Sequence, residues 1–161
     1  MSRVQLALNV DDLEESIGFY SRLFATEPAK VRPGYANFAV AEPPLKLVLI
    51  ENPGHGGSVN HLGVEVPDVD AVDAAQTRLA ADGLASVDER DTTCCYAKQD
   101  KFWVQGAPNG ERWEIYTVLA DSQTFSATST EGAACCGTAD SADAKPAPTA
   151  AACPPAANRY I

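Results

Sequence analysis

Positive charge is scarce in this sequence. Lys and Arg number 12 against 22 Asp and Glu, a formal net charge of -10. A nucleic-acid partner needs a basic patch to meet its phosphates, and an anionic membrane surface needs the same, so both are excluded as expected partners. What the acidity does supply is solubility. Long apolar runs are also missing: no stretch approaches 18 apolar residues, so no segment is expected to span a membrane. The start, Met1-Ser2-Arg3-Val4-Gln5-Leu6, passes directly into an alternating pattern without an apolar stretch or small-residue cleavage site, and no signal peptide is expected. An even cysteine set is lacking too. The five cysteines are Cys94, Cys95, Cys135, Cys136 and Cys153, and four of them form two adjacent pairs. That is no secreted disulfide framework. In a reducing cytoplasm such thiols bind soft ligands.

An internal repeat is present. Set against each other at an offset of 56 residues, Gln5–Ala25 and His61–Ala81 agree at six of 21 positions: Leu6/Leu62, Val10/Val66, Asp12/Asp68, Arg22/Arg78, Leu23/Leu79 and Ala25/Ala81. Each half opens on an alternating strand and continues through an Asp cap into an amphipathic helix. The spacing predicts helices over about 12–24 and 68–82. Asp12 with Glu15 reads as a capping-box variant, and Leu13, Ile17, Tyr20 and Phe24 share one face. In the second helix Val69, Val72, Ala75 and Leu79 face inward, and Gly83 ends it. Strands are expected at about 35–41, 45–51, 94–98, 101–106 and 111–118, with short ones near 29–31 and 85–88. Asn109-Gly110 signals a hairpin turn, and Asn52–Gly57 with His55 a linker between halves. The polar run Asp88–Thr93 predicts an exposed, mobile loop.

The core is therefore expected to be α+β, βαβββ twice, over residues 1–120 with modules of about 1–52 and 58–120. Residues 121–161 hold 12 Ala, 4 Pro and 9 Ser or Thr and few large apolar side chains, so burial cannot offset their ordering entropy. They predict a disordered tail carrying Cys135, Cys136 and Cys153.

Cys94-Cys95 has its own chemistry. Two adjacent thiols offer a soft, chelating grip. Regular strand geometry sends neighbouring side chains to opposite faces, so joint chelation requires a bulge or an irregular turn there.

A paired βαβββ chain resembles the vicinal oxygen shield superfamily, which includes glyoxalase I, extradiol dioxygenases and fosfomycin- and bleomycin-resistance proteins. The resemblance implies a half-barrel around a divalent metal, with ligands on the first and last strands of each half. Those places hold Gln5 and His61, equivalent in the repeat, and Glu114 in Gly110-Glu-Arg-Trp-Glu-Ile-Tyr; the corresponding place in the first half falls near Leu47, which cannot ligate. Iron dioxygenases of this superfamily use two His and one carboxylate. Gln5 departs from that pattern with a weaker, neutral amide oxygen. A narrower resemblance rests on Asp91-Thr-Thr-Cys-Cys-Tyr-Ala-Lys-Gln-Asp-Lys-Phe-Trp-Val, on Gly110–Tyr116 and on Asn60-His-Leu-Gly-Val-Glu-Val66. These segments resemble the carbon–arsenic lyases, which include cadmium-induced proteins. That resemblance implies an Fe(II)-dependent dioxygenase cleaving the carbon–arsenic bond of trivalent organoarsenicals. Gln5, His61 and Glu114 would hold Fe(II), dioxygen would be the co-substrate, and Cys94 and Cys95 would bind arsenic, with Cys135 and Cys136 as accessory thiols. Methylarsenite would give arsenite and formaldehyde, and aryl arsenicals a hydroxylated ring. Two alternatives remain open: a non-catalytic cadmium- or arsenic-sequestering protein, and a glyoxalase-like metalloenzyme, against which Leu47 counts because such enzymes use four protein ligands.

Overall fold

The computed structural model describes residues 2–125. Alternation of the first strand, β1 (Arg3–Val10), places Gln5, Ala7 and Asn9 on one buried face. Helix α1 (Leu13–Phe24) follows, because Asp12 in extended backbone accepts from the Glu15 N–H at 2.8 Å. Leu13, Ile17, Tyr20 and Phe24 then pack on the outer side of the sheet with Phe38, Leu47 and Leu49. Strands β2 (Lys30–Arg32), β3 (Tyr35–Val40) and β4 (Leu45–Glu51) complete the first module. The second repeats the order with β5 (Val59–Glu65), α2 (Val69–Ala81), β6 (Ser86–Cys94), β7 (Ala97–Val104) and β8 (Trp113–Asp121). Asp68 caps α2 through the Ala71 N–H at 2.9 Å, Val72 is its buried anchor, and Gly83 beyond its end has φ 81°.

All eight strands form one sheet in the order β2-β3-β4-β1-β5-β8-β7-β6. The modules join at its centre, where β1 and β5 run antiparallel with Gln5 opposite Gly63 and Ala7 opposite His61. Within each module the first and last strands are parallel neighbours, β1 with β4 and β5 with β8. The sequence expectation of an α+β fold of two βαβββ modules holds. The linker lies between them, with exposed His55 in a turn closed by its N–H to Asn52 O at 3.0 Å.

Three expectations are corrected. Residues 88–93 are no loop: they belong to β6, paired with β7 from Ser86 opposite Val104 to Cys94 opposite Ala97, with an irregularity between Glu89 and Thr92. An edge strand with one wet face has the same polar composition as a loop, and that misled the reading. The strands expected at 94–98 and 101–106 divide differently: Cys94 ends β6, Cys95 and Tyr96 form a turn, and one continuous strand, β7, runs from Ala97 to Val104. The turn expected at Asn109-Gly110 is part of a longer connection, 105–112, in which Gly110 N–H donates to Ala107 O. Tail residues 126–161, including Cys135, Cys136 and Cys153, lie outside the described residues. Before them, β8 continues to Asp121 and Phe125 packs on Tyr35 and Tyr96.

Candidate metal centre and thiol pair

Alternation on the central strands turns Gln5, His61 and Glu114 to the same concave face. Gln5, Gly63 and Glu114 lie in register across β1, β5 and β8. Gly63 leaves the space they need. A Cβ there would stand 3.2 Å from Glu114 Cγ and 3.3 Å from both Gln5 Cβ and Gln5 Nε2. The side chains therefore meet over the glycine. Gln5 Nε2 lies 2.9 Å from His61 Nε2 and donates to Glu114 Oε1 at 2.9 Å, and His61 Nε2 stands 3.4 Å from Glu114 Oε1. All three are buried, at 4%, 2% and 3% exposure.

A chain of amides fixes the histidine. Asn60 Nδ2 donates to Asn9 Oδ1 at 3.0 Å, which leaves Asn60 Oδ1 to accept from His61 Nδ1 at 2.8 Å. With its proton on Nδ1, the ring aims the Nε2 lone pair into the site. Trp103 packs edge-on against the ring at 5.6 Å. Glu114 has the cation that a buried carboxylate requires: Lys101, fully buried, donates to its Oε2 at 3.0 Å. Burial alone would push the Glu114 acid up. The Lys101 ammonium outweighs that and holds it at about 2, so the group is ionised. Oε1 remains on the Gln5 and His61 side.

Beside Gln5 stands Tyr116, whose hydroxyl lies against both Gln5 Oε1 and, at 2.9 Å, Glu65 Oε2. Burial, then the Glu65 and Glu114 charges, push the phenol well above its usual range, so it keeps its proton. Burial tends to raise Glu65, but Lys46 at 2.9 Å, Tyr116 and Arg3 at 2.9 Å lower it below the usual carboxylate range.

The donor set fits a divalent metal. An imidazole lone pair and a carboxylate oxygen converge, and the third position is an amide whose two ends have the same shape. A half-turn about its last bond presents oxygen instead of nitrogen. Among the described residues no three His, Cys, Asp or Glu side chains form a metal cluster, so the amide is needed for a third ligand. The repeat also identifies the fourth place. Glu114 faces Gly63 on β5, and the equivalent of Gly63 is Ala7, which faces Val48 on β4. Val48 is the counterpart, not Leu47, which points to the helix side; valine cannot ligate either.

The thiols meet at a tight turn. Strand pairing ends at Cys94 opposite Ala97, and the two residues between, Cys95 and Tyr96, have φ of 54° and 58°. Positive φ at both corner positions is the geometry of a type I′ hairpin, usually built from Asn-Gly. Here it turns both sulfurs to one side, 3.3 Å apart, with neither in a disulfide. The strain of two non-glycine residues in this region persists because the surroundings hold it. Tyr96 donates its hydroxyl to Pro33 O at 3.0 Å and packs on Tyr35, and Lys30 Nζ donates to Tyr96 O at 2.9 Å. The hairpin tip is thus tied to the concave face of the first module. Cys95 lines a cavity of about 220 Å³ there, with Arg3, Tyr35, Asn37, Lys46 and Glu65. Glu65 joins this cavity to Gln5 through Tyr116.

The sequence reading missed Lys101, Trp103, Tyr116 and Glu65. Their signal is alternation: Gln99, Lys101 and Trp103 on β7, and Glu114 and Tyr116 on β8, recur with period two.

Residues 3–115 match the family model of the Glyoxalase/Bleomycin resistance protein/Dioxygenase superfamily. A trivalent organoarsenical cleaving enzyme of Thermomonospora curvata is 59% identical over 154 residues, 95% of this chain and 100% of that protein. The cadmium-induced protein CadI of Mycobacterium tuberculosis is 69% identical over 125 residues, 78% of this chain and 82% of that one. The Mn(II)-bound glyoxalase of Novosphingobium aromaticivorans superposes with a TM-score of 0.54 at 19% identity, over 76% of this chain and 42% of that one, a likeness of fold. The chain belongs to the Glyoxalase/Bleomycin resistance protein/Dioxygenase superfamily and, within it, to the family of the cadmium-induced and trivalent organoarsenical cleaving proteins.

Proposed function

We propose that this protein is an Fe(II)-dependent dioxygenase that cleaves the carbon–arsenic bond of trivalent organoarsenicals, methylarsenite and aromatic arsenicals among them, and releases arsenite. The observation that carries the reading is the turn that brings the Cys94 and Cys95 sulfurs to 3.3 Å on the concave face that also gathers Gln5, His61 and Glu114. The name borne by the 59% identical relative supports the substrate class. Trivalent arsenic is thiophilic. Inorganic arsenite has three exchangeable positions, whereas an organoarsenical has one filled by carbon and two free. Two thiols therefore suit the organic substrate. Each displaces one hydroxyl from arsenic, the thiol proton leaves with it as water, and the carbon stays on arsenic. Once carbon is lost, the product prefers a third thiol and can pass to another carrier.

Gln5, His61 and Glu114 would hold the metal. Fe(II) at this point would supply the activation of dioxygen. The chain's own contribution is positional. Asn60 keeps the His61 lone pair aimed inward, and Lys101 keeps Glu114 ionised and leaves Oε1 available. Trp103 closes one side of the imidazole against water. For methylarsenite the atoms balance: with one dioxygen it yields formaldehyde and arsenite. A cytoplasmic location, where thiols are kept reduced, belongs to this reading.

The test is to incubate Fe(II)-loaded protein with methylarsenite in air and measure arsenic species. Arsenite must appear with turnover and must require both iron and dioxygen. The second reading, a non-catalytic sequestering protein, is favoured by the 69% identical cadmium-induced relative. It requires binding at fixed stoichiometry with no arsenite released.

A further inference from the structure

We propose that Tyr116, with Glu65 behind it, is the positioning residue that lets the Gln5 amide reverse, so that a weak neutral side chain can serve as a metal ligand. The inference rests on the reading of Gln5, His61 and Glu114 as the metal site. It concerns which end of the amide faces that site and what holds it there.

In the arrangement seen, Gln5 gives its nitrogen to the site. Its two N–H groups point to His61 Nε2 and Glu114 Oε1, both at 2.9 Å, and its oxygen accepts from the Tyr116 hydroxyl. Every polar atom of Gln5 is partnered in this arrangement, although the single Tyr116 proton cannot also serve Glu65 Oε2, and the amide cannot ligate a cation, because an amide N–H has no lone pair to offer. Ligation requires the oxygen to face His61 and Glu114. The half-turn then swings the NH2 group onto Tyr116. With most buried neighbours that would leave a donor facing a donor, and an unsatisfied buried polar group is costly. A hydroxyl escapes the penalty because it both donates and accepts. Its single proton can turn to Glu65 Oε2, already 2.9 Å away on the other side, and its lone pair then receives the Gln5 N–H. The chain becomes Gln5 N–H to Tyr116 O–H to the Glu65 carboxylate. Glu65 is built as that second acceptor: Arg3 and Lys46, each at 2.9 Å, hold it ionised and in place. The acceptor in the reversed chain is charged, so its hydrogen bond is the stronger of the two. Tyr116 therefore favours the oxygen-inward amide. Phenylalanine at 116 would lose one hydrogen bond in the arrangement seen and two in the reversed one.

The test is a cycle of affinities for Co(II), with Zn(II) as a second probe, read by titration without turnover. Four full-length proteins are compared: the natural chain, Tyr116→Phe, Gln5→Glu and the double variant. In the natural background Tyr116→Phe should weaken Co(II) about 10- to 100-fold, the usual range for a residue that orients a metal ligand. In the Gln5→Glu background both ends of the side chain are oxygen, no orientation remains to be chosen, and the same change should cost less than about threefold. Gln5→Ala serves as the background if Gln5→Glu does not fold, with the same expectation. A second readout follows the side-chain amide of Gln5 in glutamine-labelled protein by nuclear magnetic resonance. Zn(II) should shift it in the natural chain, with the new position lost in Tyr116→Phe. Equal weakening in both backgrounds means that Tyr116 only supports the fold, and it overturns the proposal; so does no weakening in either. His61→Ala separates the two levels of the argument. If His61→Ala binds Co(II) as tightly as the natural chain, the metal-site reading itself falls and this inference with it. If His61→Ala loses Co(II) while Tyr116→Phe does not, only the orientation argument falls.

Discussion

Replacing Lys101 with Met tests the electrostatics of the site directly. Lys101 is fully buried and its ammonium lies 3.0 Å from Glu114 Oε2 and 3.4 Å from Glu89 Oε2. Against burial, it is the main reason that Glu114 is held at about 2 instead of the ordinary 4.5. A gap of about 2.5 pH units, at about 1.4 kcal/mol each, corresponds to about 3 kcal/mol of folding stability. Because the acid is lowered in the folded state, that contribution is present above pH 4.5 and is lost as the pH falls toward 2. Methionine keeps the length and removes the charge. Glu114 must then stay ionised without a cation or take up a proton, and either outcome forfeits at least this amount at pH 7, with about 3–5 kcal/mol expected for breaking a buried pair. For a domain of this size the melting temperature should fall by roughly 10 °C. The difference between the two proteins should narrow as the pH is lowered from 4.5 to 2. A divalent cation bound through His61 and Glu114 supplies the missing positive charge, so Mn(II) or Co(II) should raise the melting temperature of Lys101→Met more than that of the natural chain. Thermal melts by circular dichroism at several pH values, with and without metal, decide the matter. Equal stability at pH 7, or a difference that does not change with pH, would refute the reasoning.

Cys94→Ser and Cys95→Ser should each abolish tight binding of phenylarsenite while leaving Co(II) affinity intact, because a hydroxyl cannot replace a soft thiolate and the metal donors lie elsewhere; calorimetric titration of both ligands checks this. Gly63→Ala should weaken Co(II) about tenfold, since its Cβ would press on Glu114 Cγ at 3.2 Å and on Gln5 at 3.3 Å, with the fold retained by circular dichroism. Ala25→Gly should stabilise the protein by about 1 kcal/mol in urea unfolding, because exposed Ala25 ends α1 at φ 48°, a left-handed conformation that costs a residue with a Cβ about that much.

Much of this architecture is legible in the repeat. Asp12 and Asp68 occupy equivalent positions and cap both helices, and the equivalence of Gln5 and His61 singles out β1 and β5 as the strands that carry the central donors. What the repeat conceals is everything set by pairing between distant strands. That Gly63 separates Gln5 from Glu114, and that Lys101 reaches Glu114 from β7, depend on register across four strands. Composition also misleads at the edge of the sheet, where β6 needs polar residues on its wet side and so reads as a loop. The thiol turn was legible only as a requirement. Adjacent side chains on a strand cannot chelate together, and the turn at Cys95 and Tyr96 meets that requirement with two left-handed residues for which the sequence offers neither Gly nor Asn.

The duplication also explains why the two halves of the concave face have different chemistry. In the second module the register positions opposite each other are Gly63 and Glu114; in the first they are Ala7 and Val48. One pair has an absent side chain and a carboxylate, which leaves room over Gly63 and supplies a candidate ligand. The other has two small apolar side chains, and these pack with Tyr35, Ile50 and Tyr96 into a buried apolar floor. Cys95 and Phe125 rest on that floor, so the half without a carboxylate at this position is the half on which the strained thiol turn is seated. A carboxylate at position 48 would put an uncompensated charge beneath Tyr96 and remove the packing that holds two left-handed residues in place. The same backbone position thus carries a candidate ligand, Glu114, in one module and, as Val48, part of the apolar floor beneath Tyr96 in the other.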